Sequence, residues 1–191
     1  MAAVLGRAGL ESGSRSQIWR TVEEWPAEAR PGGLWPLIAE TGSLTERLRE
    51  RSGGRLQVQV LAQGHASLQE EDTALLAAKP GEAGYVRRVF LCGRERPWVY
   101  ARSLVAGAAD RWLKQLGERP LGDQVFSRAD VRRGCIEAAR LDPRHALHKE
   151  AVAHLPAAQR PTGELWARRS LLSVEGVHIL IYECFLPELG S

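Results

Sequence analysis

YVRRVFLC (residues 85–92), GRERP (93–97) and WVYARSLV (98–105) follow one another without a break. Two runs rich in β-branched and aromatic residues thus flank a short connector containing Gly93 and Pro97, which is the pattern of an antiparallel hairpin. Arg87 and Arg88 are adjacent in the first run, so in a strand they point to opposite faces. One of them therefore faces whatever the sheet covers. An inward guanidinium offers a planar donor fork suited to a carboxylate. The alternative is a surface arginine beside a salt-bridging one, and the patterning does not choose between them. Arg102 falls on the face of Trp98, Tyr100 and Leu104. Stacking on an aromatic ring is the expectation there, and closing the same cavity is the alternative.

A second hairpin closes the sequence: Leu165 to Ser173 and Val177 to Leu186 flank Val174-Glu175-Gly176. In its last strand Val177, Ile179, Ile181, Glu183 and Phe185 share one face, so Glu183 is a lone carboxylate on an apolar stripe. Burying an unpaired charge costs several kcal/mol, so Glu183 is either partnered, protonated or turned to a polar cavity. A half-exposed face or a structural ion pair would explain it equally well. Arg168 and Arg169 again split across two faces, where mainly structural roles are expected.

Working toward the N-terminus, Leu56, Val58, Val60 and Ala62 alternate with polar positions as in a strand. TGSLTERLRERSGG (41–54) carries a cap at Thr41 or Ser43, leucines at i and i+4, and a glycine stop, so it reads as a helix. Ser67 to Gly84 is a long connection with one helical turn. Ala108 to Leu116 reads as a helix ended by Gly117, Pro120-Leu121-Gly122 opens a second short one, and Val131 to Ala139 is a further strand candidate. Residues 140–163 read as an inserted surface loop or helix, with His145, His148 and His154 solvated. Residues 1–33 read as a leader, flexible or with a short helix around Ile18 to Trp25, and the compact domain is expected to begin near Leu34. About six antiparallel strands with helices packed on them define a single-domain α+β fold.

Composition narrows the function. At 191 residues, 44% hydrophobic and 26% charged, the chain has the make-up of one globular domain. No run approaches the ~20 apolar residues of a membrane span, and the N-terminus lacks the apolar core of a secretory signal. Twenty-six basic residues against 23 acidic give only +3, too dispersed for a nucleic-acid footprint. Three cysteines without a CxxC suit a reducing cytoplasm. Their spacing and that of the histidines supports no metal site. Phosphate-cradle, nucleophile-elbow and zincin motifs are missing from the sequence. No heptad or large apolar stripe is left over, so a monomer is expected.

Taken in order, several stretches resemble the chorismate pyruvate-lyase family of ubiquinone biosynthesis. They are Thr41-Gly42-Ser43-Leu44-Thr45, Val86 to Cys92 with Pro97 to Ser103, Leu116-Gly117 with Pro120-Leu121-Gly122, Leu165 to Ser170, and Glu183-Cys184-Phe185-Leu186-Pro187. Each is weak alone; together they span about residues 34–189. Residues 140–163 are longer than the shortest members' connection, and Ala106 stands where a proline often follows. The resemblance implies a six-stranded antiparallel sheet and cofactor-free conversion of chorismate to 4-hydroxybenzoate and pyruvate. It also implies ligand contacts at Leu44, Arg87, Leu121 and Glu183, with Arg87 and Glu183 catalytic and no metal. The rival expectation is a non-catalytic, sensor-like binding domain of the same fold for small aromatic carboxylates.

Overall fold

A computed structural model describes residues 18–107 and 109–190. In chain order it contains β1 (Arg20–Thr21), α1 (Trp35–Ile38), α2 (Leu44–Arg51), β2 (Leu56–Ser67), α3 (Glu70–Leu75), β3 (Ala83–Gly93) and β4 (Arg96–Ala106). There follow α4 (Arg111–Lys114), α5 (Leu121–Val125), β5 (Arg132–Arg133), β6 (Glu137–Leu141), α6 (Ala146–Ala153), β7 (Leu165–Val174) and β8 (Val177–Phe185). The eight strands form one antiparallel sheet in the order β1-β6-β7-β8-β4-β3-β2, with β5 pairing beside β7. Six strands have five residues or more and two have only two, so the expected six-stranded α+β sheet is present with two short additions.

Both hairpins form where the sequence placed them. β3 and β4 pair Tyr85 with Val105 and Val89 with Ala101, while β7 and β8 pair Leu172 with Ile179 and Val174 with Val177. Their turns are tighter than the connectors suggested. Arg94 and Glu95 have φ of 53° and 66°, and Glu175 and Gly176 have 49° and 74°. Two consecutive left-handed residues match the right-handed twist of the flanking strands.

The sheet is covered on both faces. One carries Val86, Phe90, Tyr100, Leu104, Leu180 and Tyr182 against Trp19, Leu76, Leu147 and Leu155. The other packs Val89, Leu91, Val99 and Phe185 against Leu37, Ile38, Leu44 and Leu48 of α1 and α2. Farther along that face, Tyr85, Val105, Leu172 and Ile181 meet Leu113, Leu116, Leu121 and Val125 around α4 and α5. Ile38 and Leu48 are wholly buried, and each such side chain contributes roughly 2 kcal/mol to seating its helix.

Four expectations change. Residues 19–25 are packed rather than a leader: Trp19, Val22 and Trp25 are buried, Arg20 pairs with Ala138, and Trp25 Nε1 donates to the Ala138 carbonyl. Aromatic anchors hold this segment where its small-residue context suggested none, and the packed chain reaches back to Ile18 rather than Leu34. Residues 1–17 and Ala108 lie outside the described residues. The alternation of β2 holds through Leu61, which packs on the opposite face as expected, but a bulge between Val60 and Ala62 pairs Ala62 with Arg88 and so moves it off its stripe. Residues 140–163 are no loose insertion either. Leu147 and Ala151 of α6 bury against the sheet, and His148 is 2% exposed, with Nε2 3.0 Å from the Gly163 carbonyl oxygen. Trp98 is the extra residue of a bulge and packs with Val99 and Leu91 rather than with Tyr100.

Candidate active site

The cavity lies between the sheet and the helices of its second face. Arg87, Val89 and Leu91 of β3, Ala101 and Ser103 of β4, Ile181 and Glu183 of β8 and Leu172 of β7 form its floor. Leu44 and Thr45 of α2, Leu121 and Gly122 of α5, Phe126 and Arg133 cover it. Strand register makes this floor. Arg87 stands opposite Ser103, Ala101 opposite Glu183, and Arg168 opposite Glu183, so polar groups three strands apart meet on one face. The space among these side chains is about 470 Å³ including its mouth.

All four ligand-contacting positions implied by the resemblance line this one cavity. Arg87 is 2% exposed. Its Nη2 donates to the carbonyls of Gly117 at 2.8 Å and Arg119 at 3.1 Å, and its Nε has no partner among the described residues. Burial lowers its pKa from the usual arginine value, because the charged form loses solvation. Glu183 accepts from Arg168 Nε at 2.5 Å through Oε2. Arg168 is anchored in turn by Nη1 donating to the carbonyls of Leu37 at 3.1 Å, Ile38 at 3.3 Å and Glu40 at 2.8 Å. Glu183 is thus both ion-paired and cavity-lining: one oxygen is held, and Oε1 has no partner among the described residues.

Leu44 and Leu121 are the first residues of α2 and α5. Ser43 caps α2, its Oγ accepting from Glu46 N at 3.2 Å. The two helices touch at Gly122, where a Cβ would lie 2.6 Å from Thr45 Oγ1 and 3.1 Å from Ser43 Oγ. Alanine has the better helix propensity by roughly 1 kcal/mol, yet overpacking costs about 1–3 kcal/mol. Gly122→Ala is therefore expected to lower the melting temperature by several degrees and to raise KM as α5 moves off α2. An unchanged melting curve together with an unchanged KM would show that the contact yields freely.

The adjacent arginines divide as the strand argument requires. Arg87 and Arg168 face the cavity side, while Arg88, Arg102 and Arg169 enter a charged network on the opposite face. There Arg102 bridges Asp72 at 3.3 Å and Glu150 at 3.2 Å and lies 4.5 Å over the Tyr182 ring. Arg88 also pairs with Glu150, Tyr182 Oη donates to Asp72 at 2.8 Å, and Arg169 pairs with Glu137 at 2.6 Å. Arg102 stacks and pairs, and does not close the cavity. Among the described residues no cluster of metal-ligating side chains forms. His145 caps α6 instead, its Nδ1 accepting from Leu147 N at 3.2 Å.

Sequence reasoning missed Arg133, Phe126 and the Ser103 side chain. Arg132-Arg133 carried the same signal as Arg87-Arg88, two adjacent arginines in a strand candidate, and one of them does turn inward.

This fold and cavity place the protein among α+β small-ligand proteins with antiparallel sheets. The model of the family described as chorismate lyase matches residues 19–190, and the chain belongs to that family. A Pseudomonas aeruginosa protein named probable chorismate pyruvate-lyase is 39% identical over 94% of this chain and 91% of its own length. A Thiobacillus denitrificans protein of the same name is 36% identical over 97% and 95%. Among solved structures, the effector domain of PhnF from Mycobacterium smegmatis superposes with a TM-score of 0.53 at 14% identity, covering 78% of this chain and 91% of that one. That likeness is one of fold. No helix among the described residues is long and apolar enough to cross a membrane.

Proposed function

We propose that the protein is a chorismate pyruvate-lyase of ubiquinone biosynthesis, converting chorismate to 4-hydroxybenzoate and pyruvate as a monomer and without a cofactor. The observation that carries this reading is the convergence of the Arg87 and Arg133 guanidiniums and the Glu183 carboxylate in one cavity of a chorismate lyase family member. In the reaction the bond between ring carbon 3 and the enolpyruvyl oxygen breaks and the proton on ring carbon 4 leaves. The ring becomes aromatic, and the released enolpyruvate takes up a proton to give pyruvate. Aromatisation drives the step and no electron acceptor is needed. The protein's task is binding, orientation and exclusion of water.

Arg87 forks the ring carboxylate, with the first N–H groups of α2 at Leu44 and of α5 at Leu121 as further donors. Glu183, steered by Arg168, accepts from the ring hydroxyl with its open oxygen and assists transfer of the neighbouring ring proton. The same contacts hold 4-hydroxybenzoate, so product release is expected to limit turnover.

Incubation of the purified protein with chorismate should release 4-hydroxybenzoate and pyruvate in equimolar amounts above the uncatalysed rate. Intact chorismate with folded protein that binds 4-hydroxybenzoate would instead establish a binding domain. Glu183→Gln keeps the shape and removes the charge. It is expected to reduce kcat about 100-fold, the usual loss for a proton-handling group, and turnover within threefold of the parent would rule that role out.

A further inference from the structure

The charges around the cavity do not balance. Arg87 and Arg133 line it, and Arg168 stands behind Glu183, the cavity's one carboxylate. Arg168 and Glu183 offset one another in charge through the Nε–Oε2 pair, although Arg168 Nη2 is buried without a partner among the described residues. Arg87 binds only backbone carbonyls. Arg133 binds the Ser170 hydroxyl through Nη1 and the Gly42 carbonyl at 3.3 Å through Nη2. Its Nε is buried without a partner among the described residues. Burial, with Arg168 adding to it, pushes the Arg133 pKa down to about 10 against the opposing pull of Glu183 and Glu40. Glu40 does not neutralise it, being engaged by Arg47 at 3.3 Å and by Gly42 N at 2.7 Å.

Two guanidiniums thus face one small cavity without a carboxylate of the protein between them, a costly arrangement unless a ligand supplies the missing anions. Arg133 is also held in place. Its two-residue strand pairs it with Leu172, itself on the cavity wall, and its guanidinium carbon sits 4.9 Å from the centre of the Phe126 ring. We propose that Arg133 is the second carboxylate-binding residue of this cavity, taking the enolpyruvyl carboxylate of chorismate while Arg87 takes the ring carboxylate.

The proposal rests on the lyase reading and goes beyond it by dividing the substrate between two arginines. Chorismate carries two carboxylates and neutralises both cations; 4-hydroxybenzoate carries one. When the ether bond breaks, the anion bound by Arg133 belongs to the departing pyruvate, and the anion bound by Arg87 stays with the aromatic product. Arg133 therefore discriminates substrate from product, and Arg87 does not.

The test compares Arg133→Gln and Arg133→Lys with the parent by chorismate kinetics and by calorimetric titration with 4-hydroxybenzoate. Loss of one charged contact to a buried anion is worth about 100-fold. Arg133→Gln is expected to lower kcat/KM by about that factor, Arg133→Lys to recover about tenfold of it, and both to bind 4-hydroxybenzoate within about threefold of the parent. Equal losses for substrate and product, or a kcat/KM within threefold of the parent, would overturn the assignment. A second measurement needs no variant. Parent protein should bind 3-(carboxymethoxy)-4-hydroxybenzoate at least about tenfold more tightly than its side-chain amide, and equal affinities would overturn the assignment too. If the parent binds the dicarboxylate more tightly yet leaves chorismate intact, the lyase reading fails while the second carboxylate site stands.

Discussion

Replacing Arg87 with alanine is expected to lower kcat/KM for chorismate about a thousandfold, roughly 4 kcal/mol, with 4-hydroxybenzoate affinity falling in parallel. The magnitude follows from a close guanidinium–carboxylate pair at an effective dielectric near 20, worth ~4 kcal/mol, and from the ~2–5 kcal/mol lost when one partner of a buried, hydrogen-bonded charge pair is truncated. Arg87 has a second task, because its Nη2 ties the Gly117 and Arg119 carbonyls at 2.8 and 3.1 Å. Alanine leaves those acceptors unpaired at a cost of about 1–3 kcal/mol. A domain of this size then loses some 2–4 °C in melting temperature per kcal/mol. Arg87→Lys separates the two tasks, since it keeps a charge but loses the fork. It should bind product more tightly than the alanine variant and still turn over slowly. Product affinity unchanged in Arg87→Ala would remove Arg87 from carboxylate binding.

The second large effect lies on the opposite face and concerns stability. Arg102→Met should destabilise the fold by about 3–5 kcal/mol, the usual cost of stranding a buried partner charge. Asp72 is 3% exposed and receives both Arg102 and the Tyr182 hydroxyl, while Arg102 shares Glu150 with Arg88. Methionine fills the volume beneath the Tyr182 ring but leaves Asp72 a charge with one neutral donor. The expected fall in melting temperature is about 6–20 °C. Adding Asp72→Asn should restore part of it, because the stranded charge is then gone. Protein that remains folded should keep kcat/KM within about threefold, since none of these groups lines the cavity. A loss below about 1 kcal/mol would show that the network is hydrated and contributes little. Loss of activity without loss of stability would couple the two faces.

The legible part of the molecule is the part whose evidence is local. Both hairpins, the helix at residues 44–51 and the opposed pairs Arg87/Arg88 and Arg168/Arg169 rest on period-two patterning, turn residues and capping, all of which act over a few positions. Glu183 stood out because a lone carboxylate on an apolar stripe has few physical explanations, though patterning left open whether it was paired or faced a cavity. The answer is both. Leu44 and Leu121 carried no such signal. They are ordinary helix-starting leucines whose expected place at a ligand came only from the resemblance.

What failed to show in the sequence depends on long-range contact. Trp19 and Trp25 look like parts of a loose N-terminal segment until β6 and β7 offer a surface to bury them. His148 looks solvated until α6 lies on the sheet and the Gly163 carbonyl meets its ring. The bulge after Val60 reverses the facing of a strand that patterning alone continues. By itself, then, the sequence determined the four hairpin strands, their pairing and which arginines must part company across the sheet, because alternation and turn chemistry are properties of neighbouring residues. The single strand read at 131–139, by contrast, divides into β5 and β6. Only the tertiary structure decided that Arg87, Arg133 and Glu183 share one cavity while Arg102 does not, because that depends on sheet register and on which helices cover which face. Those are settled by the burial of residues far apart in the chain.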